Sequence, residues 1–239
     1  MNREDRTFPS LYVVIVAAGS GVRAGAGVPK QFRLLGDRPL VWWSMEFFEN
    51  IDFVKKIALV LPARYLDDPL IKEMISSFRK ILPPVAGGEE RGDSVRKGMD
   101  SLPEEAELVA IHDGARPFPS VESLKKAVNA AHTTGGAIPA ISVTDTVKEA
   151  DENGIILKTM DRSNLFLAQT PQVFQRGLLL EGYKNALHEG LSLTDDAAVI
   201  EAIGEKVQIV PGSRWNIKIT TEEDFSLARM FLRHLKKHS

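Results

Sequence analysis

Two cations, Arg23 and Lys30, stand in a glycine-rich stretch, LYVVIVAAGSGVRAGAGVPKQF (residues 11–32), that opens with an apolar run. Bare backbone amides can close on phosphate oxygens as an anion-binding nest. Arginine adds a planar fork of donors, and lysine a compact ammonium. Glycines also punctuate loops that bind nothing. Gly19-Ser20-Gly21-Val22-Arg23-Ala24 further satisfies the G-x-G-x-x-G/A pattern of dinucleotide-binding folds. Against that pattern, about fifteen more loop-like residues, Pro29 among them, precede the next helix, where a dinucleotide motif starts its helix inside the glycines. The second strand ends in Leu61-Pro62-Ala63, without the acid that would hold a ribose. No G-K-[ST] follows, which excludes a P-loop ATPase. Two readings stay open from these residues: plain loop punctuation, and a nucleoside triphosphate cradle wrapped over a long segment.

A second polar loop, His112-Asp113-Gly114, ends the apolar run Leu108–Ile111. A carboxylate at a strand end suits Mg²⁺, which takes one or two protein carboxylates and completes its shell with phosphate oxygens. It equally suits a turn before glycine.

Both loops need a frame. Tyr12–Val16, Ile57–Leu61, Leu108–Ile111, Ala137–Ile141, Val207–Val210 and Trp215–Ile219 read as strands. Pro39–Asn50, Tyr65–Ile81, Ser94–Leu102, Ser120–Thr133, Arg176–His188, Asp195–Ile203 and Thr221–Lys236 read as helices. Ser120 is expected to cap one, Thr194 another, and Thr221 with Asp224 to form a capping box. The alternation predicts a single α/β, Rossmann-like domain with a mainly parallel sheet. Ligands of such sheets sit at the C-terminal strand ends, where the glycine loop and the HDGARP loop both fall. Residues 142–165 break the rhythm as a projecting β-hairpin arm, with Asn153-Gly154 as its type I′ turn. That arm has little apolar stripe of its own and calls for a partner surface.

Composition bounds the function. The 239 residues are 44% hydrophobic and 26% charged, a globular profile, with net charge −2 and therefore no broad basic field for nucleic acid. The absence of cysteine excludes thiolate metal sites and fits a reducing, cytoplasmic setting. The first residues, MNREDRTFPS, lack the apolar core of a secretory signal, and the apolar runs are too short to span a bilayer, so no membrane role is expected. The five histidines lack zinc-type spacing, and Trp42-Trp43 reads as core.

AAGSGVRAGAGVPKQF (17–32) resembles the signature of nucleotidyltransferases with a glycosyltransferase-A-like fold. Together with GGEERGDSV (87–95), HDGARP (112–117), DRSNLFLAQTPQVF (161–174), TDDAA (194–198) and NIKIT (216–220), it resembles the 2-C-methyl-D-erythritol 4-phosphate cytidylyltransferases over roughly residues 11–232. The ribitol-phosphate cytidylyltransferases are similar at PKQF, QTPQ and NIKIT, but DRSNLF and HDGARP look more like the methylerythritol enzymes.

The resemblance implies transfer of a cytidylyl group from CTP to a polyol phosphate with a divalent cation, Mg²⁺. By motif match, Arg23 and Lys30 would contact the triphosphate, and Lys218 would hold the incoming phosphate. Ala17, Ala18, Gly19, Gly21, Gly87, Gly88, Glu89, Arg91, Ser94 and Gly114 would line the nucleotide pocket. Asp113 would serve the metal or substrate hydroxyls, and Arg116 would either brace that loop or touch ligand. Thr146, Arg162, Thr194 and Asp195 would hold the polyol phosphate, with Arg162 also acting in catalysis. The 142–165 arm would cross to a second subunit of a homodimer. The sequence departs from the family pattern at Glu89, where aspartate is frequent, and at Val22, where a further basic residue is frequent.

Overall fold

The computed structural model describes residues 8–19, 28–191 and 194–238. Its elements run β1 (Leu11–Val16), β2 (Leu34–Leu35), β3 (Arg38–Pro39), α1 (Leu40–Glu49), β4 (Val54–Leu61), α2 (Pro69–Ser76), β5 (Val85–Ala86), α3 (Arg91–Asp100), β6 (Leu108–Asp113), α4 (Val121–Thr134), β7 (Gly136–Ser142), β8 (Lys148–Ala150), β9 (Ile156–Thr159), β10 (Phe166–Ala168), β11 (Gln172–Gln175), α5 (Arg176–Glu189), α6 (Asp196–Glu201), β12 (Val207–Pro211) and α7 (Glu222–His238).

One sheet of eight strands organises the molecule, in the order β10-β7-β11-β6-β1-β4-β5, with β12 also on β7. β1 pairs in parallel with β4 and β6, and β12 in parallel with β7. β10 and β11 run antiparallel to their neighbours. β1 is apolar at every position because helices cover both faces of it, as buried parallel strands require. Strand alternation then sorts its side chains. Val13 and Ile15 pack with Met45 and Phe48 of α1 on one face; Tyr12 and Val14 pack with Val95 and Met99 of α3 on the other. A third cluster joins α7 to the β2–β3 hairpin through Leu35, Leu40, Ile219, Phe225 and Leu232.

Several ends follow their local chemistry. Ser120 caps α4 by accepting from Ser123 N, and Gly135, at φ +92°, ends it. The Thr221 and Asp224 box is formed, Asp224 accepting from Thr221 N at 2.8 Å and Thr221 Oγ1 from Asp224 N at 3.3 Å.

Other expectations need correction. The helix expected over 65–81 is Pro69–Ser76, because Asp68 caps it and Pro69 takes the first helical position; Ala63–Tyr65 is a separate 3₁₀ turn. The helix expected from Ser94 starts at Arg91. Asp195, not Thr194, caps α6, accepting from Ala198 N at 3.0 Å. Residues 215–219 are not a strand: Trp215 N donates to Ser213 Oγ and Asn216 N to Ser213 O, which turns the chain. The arm's turn is not type I′ either, since Gly154 has positive φ and Asn153 does not. The Asp151 carboxylate instead accepts from Asn153 N and Ile155 N and closes a wider loop.

α3 lies on the sheet at a glycine. A Cβ on Gly98 would stand 2.4 Å from Val14 Cγ1 and 2.9 Å from Val60 Cγ2. Gly98→Ala is therefore expected to lower stability by about 1–3 kcal/mol, although alanine is the better helix former. The urea midpoint measures it, and an unchanged midpoint would contradict this close packing.

Candidate active site

Three loops leave strand ends on one side of the sheet, after β6, β1 and β5, and touch. The loop after β1 carries Ala17, Ala18 and Gly19; the segment after β5 carries Gly87 and Gly88; the turn after β6 carries Gly114. Register aligns them, with Val16 opposite both Val60 and Asp113. A Cβ on Gly87 would stand 2.2 Å from Ala18 Cβ, and one on Gly114 2.9 Å from Ala17 Cβ. Only a missing side chain lets these backbones meet. Buried Gln31 donates to Ala17 O at 2.7 Å and Gly19 O at 3.0 Å, anchoring the start of the glycine loop. Ser94 Oγ accepts from Gly88 N at 3.1 Å and donates to Glu90 O at 3.2 Å, so it shapes the turn that carries exposed Glu89. Arg23 and Gly21 lie outside the described residues.

Asp113 is the electrostatic centre. It is buried, 8% exposed, and its Oδ2 lies 2.8 Å from Lys218 Nζ. Arg91 approaches Oδ1 at 3.5 Å, and Arg116 Nε approaches Oδ2 at 3.8 Å. Burial pushes the carboxyl up, but Arg91, Lys218 and Arg116 outweigh it and hold Asp113 below the usual carboxylate range. Lys30 Nζ donates to Ile219 O at 3.1 Å, one residue beyond Lys218. Arg116 braces the loop, donating to Asn216 O at 2.7 Å and Ala168 O at 3.4 Å. Arg91, expected in the nucleotide pocket, pairs with Asp196 at 2.6 Å and with Asp113 at 3.5 Å.

The residues expected to hold the polyol phosphate divide between the start of α6 and the arm. Asp195 caps α6 and accepts from Gln172 Nε2 at 2.8 Å, while Thr194 beside it is exposed. Thr146 and Arg162 are exposed on the arm, where the Arg162 guanidinium donates to Thr144 O. The β8–β9 sheet stands separately, and Ile155, Ile156 and Leu157 at its tip are 59–64% exposed.

A resident Mg²⁺ does not fit Asp113. Both carboxylate oxygens already face cations, and among the described residues no three metal-ligating side chains cluster. The surroundings repel a cation and suit an anion. Among the described residues, no helix is long and apolar enough to cross a membrane.

Sequence reasoning missed the layer behind the site. His112 is fully buried; its Nε2 lies 3.0 Å from Arg116 O and its Nδ1 3.0 Å from Thr170 Oγ1. A carbonyl can only accept, so Nε2 carries the proton and Nδ1 accepts from the threonine hydroxyl. Thr170 Oγ1 in turn accepts from Asp113 N at 3.1 Å. The histidine thus pins the backbone on both sides of the turn. HDGARP and QTPQ contained these residues, but their pairing across 58 positions had no local signal.

Burial lowers the His112 pKa to about 4 from an ordinary 6.5. Between those values the unfolded chain takes a proton that the folded one refuses, so stability falls as pH drops through this window and is fully present above pH 6.5. The expected loss is about 3 kcal/mol across it. Urea midpoints measured across this pH range should show it for the parent protein and flatten in His112→Asn; equal slopes would contradict a neutral, buried imidazole.

The model of the family described as 2-C-methyl-D-erythritol 4-phosphate cytidylyltransferase matches residues 11–234. A protein of that name from Syntrophus aciditrophicus is 40% identical over 228 residues, covering 94% of this chain and 97% of its own. One from Geobacillus kaustophilus is 43% identical over 223 residues, 92% of this chain and 95% of its own. The crystal structure of 4-diphosphocytidyl-2C-methyl-D-erythritol synthase from Anaerococcus prevotii superimposes with a TM-score of 0.83 at 30% identity, covering 94% of this chain and 96% of that one. With strand ends, glycine contacts and motif blocks in place, the chain belongs to the 2-C-methyl-D-erythritol 4-phosphate cytidylyltransferase family.

Proposed function

We propose that this protein transfers a cytidylyl group from CTP to 2-C-methyl-D-erythritol 4-phosphate, releasing pyrophosphate, as a step of non-mevalonate isoprenoid biosynthesis in the cytoplasm. The observation that carries this reading is the meeting of Lys218 and Asp113, with Lys30 donating one residue beyond Lys218, at the strand ends where bare glycine backbones converge.

An oxygen of the phosphate monoester attacks the α-phosphorus of CTP. The new P–O bond forms as the bond to the β-phosphate breaks, and pyrophosphate leaves with the electron pair. Attacker, electrophile and leaving group are all anions, so fixed positive charge and alignment supply the catalysis. Lys218 is half-exposed and adjacent to the buried carboxylate, well placed to draw the incoming phosphate. Lys30, with Arg23, is assigned to the triphosphate. The amides around Ala18 and Gly88 are assigned to the cytosine edge, their turn being held by Ser94. The divalent cation is taken to arrive on the nucleotide's own phosphates, since Asp113 already serves three cations.

The arm is assigned to a homodimer. A two-stranded hairpin is marginal alone, and exposed Ile155, Ile156 and Leu157 call for a cover. Arg162 and Thr146 would then complete the partner's polyol-phosphate site.

Pyrophosphate release from CTP and Mg²⁺ with a panel of polyol phosphates tests the reading. Release with methylerythritol phosphate is expected; release with ribitol 5-phosphate alone would transfer the assignment to that substrate. Lys30→Ala should stay folded and lose about 10²–10³ in kcat, and near-normal turnover would remove Lys30 from the site. A shared site also predicts complementation. Arg162→Ala and Lys218→Ala, each nearly inactive, should recover about a quarter of parental activity when co-refolded, because half the dimers then hold one intact site. No recovery would place Arg162 and Lys218 in the same subunit's site.

A further inference from the structure

Arg91, the first residue of α3, reaches two carboxylates with one nitrogen: Asp196 Oδ2 at 2.6 Å and Asp113 Oδ1 at 3.5 Å. Asp196 is fully buried. Its other oxygen accepts from the Tyr183 hydroxyl, and its backbone N–H donates to Gln172 Oε1 at 3.1 Å. Asp196 is thus fixed from several sides, and it fixes Arg91 in turn. Burial alone would weaken the guanidinium's charge, but Asp196, Asp113 and Tyr183 together outweigh it and keep Arg91 above the ordinary arginine value.

Lys218 holds the opposite side of Asp113 and is 43% exposed, against 12% for the Asp113 side chain. To reach a phosphate, Lys218 must loosen its hold on Asp113. The carboxylate would then repel the incoming anion unless another cation stays with it. Arg116 stays near Oδ2, but its Nε is 3.8 Å away and makes no hydrogen bond, and its other donors go to two carbonyls, so the closer remaining counter-charge is Arg91 on Oδ1.

We propose that Arg91, held by Asp196 and Tyr183, is a positioning residue that keeps Asp113 charge-compensated while Lys218 passes from that carboxylate to the incoming phosphate. This rests on the cytidylyltransferase reading above. Arginine suits the task because one nitrogen of its planar guanidinium carries two N–H donors and stays charged beside two carboxylates.

Steady-state kinetics test it, varying CTP and methylerythritol phosphate separately, with thermal melts alongside. Arg91→Gln alone leaves buried Asp196 without its counter-charge and is expected to lose stability. The double variant Arg91→Gln/Asp196→Asn removes both charges and should melt closer to the parent. It should still lose about 10–100-fold in kcat, with a several-fold higher KM for the polyol phosphate and a KM for CTP within about two-fold. Tyr183→Phe, which alters one hydroxyl, should move the same parameters in the same direction by less, and it decides the matter should the double variant not fold. Parental kinetics in a folded double variant, equal changes in both KM values, or an unchanged Tyr183→Phe would reduce the pair to a structural role and overturn the inference. A parent protein inactive with CTP and methylerythritol phosphate would overturn the functional reading and this inference with it; an active parent with unaffected variants overturns this inference alone.

Discussion

The charge of Asp113 governs this molecule. A carboxylate at that depth is tolerated only when paired, and it gathers one partner locally, Arg116 in the turn after β6, and two from distant places, Arg91 at the start of α3 and Lys218 ahead of α7. Each partner brings its own backbone, so one buried charge ties the segments around residues 91, 116 and 218 to one point. Asp196 takes up part of the charge of Arg91. What remains around Asp113 is an excess of positive charge, three cations to two carboxylates. Such an excess is unfavourable in the empty protein and favourable once anions enter, which is the condition that phosphoryl chemistry between two anions demands.

The sheet order explains how that point is assembled. β1, β4 and β6 run in parallel and deliver their C-terminal ends to one side. β11 then inserts between β6 and β7 in the opposite sense. Its reversed direction brings Thr170 to His112 and Asp113 N, and Gln172 to the first turn of α6. Had β11 run parallel, those side chains would lie at the far end of the sheet. The antiparallel strand is therefore what carries the buried histidine network and the Asp196 support to the same place as the glycine loops.

The readable part of the fold was the part built locally. β1 is a continuous apolar run, and β4, β6 and β7 contain the runs 57–61, 108–111 and 137–141; Ser120 and Gly135 bracket α4, and Thr221 with Asp224 starts α7. β11 was missed because four residues bounded by glutamines show neither alternation nor length; its place is set by β6 and β7. The alternation in Trp215–Ile219 is real, since Ile219 is buried and Lys218 faces out, but its backbone bonds go to a turn and to Ala115 rather than to a strand. The site divides the same way. Asp113, Lys218 and the glycines stand in compact motifs. The pairing of Arg91 with Asp196 spans 105 positions and leaves no mark in either neighbourhood.

The distribution of arginine and lysine follows from the same electrostatics. Arg91 and Arg116 are the inner cations, with side chains 32% and 13% exposed; Arg91 serves two carboxylates from one nitrogen, and Arg116 two carbonyls from two nitrogens. Guanidinium groups tolerate such positions because they are weakly hydrated and planar. Lys218, at 43%, is the outer one, and Lys30 rests a compact ammonium on a backbone carbonyl. A strongly hydrated point charge on a flexible stem can change partners at small geometric cost. Exchanging either lysine for arginine would preserve charge and lose that freedom, whereas exchanging either arginine for lysine would preserve charge and lose the brace. Charge conservation therefore does not define a conservative substitution in this site; the number of fixed acceptors each cation must serve does.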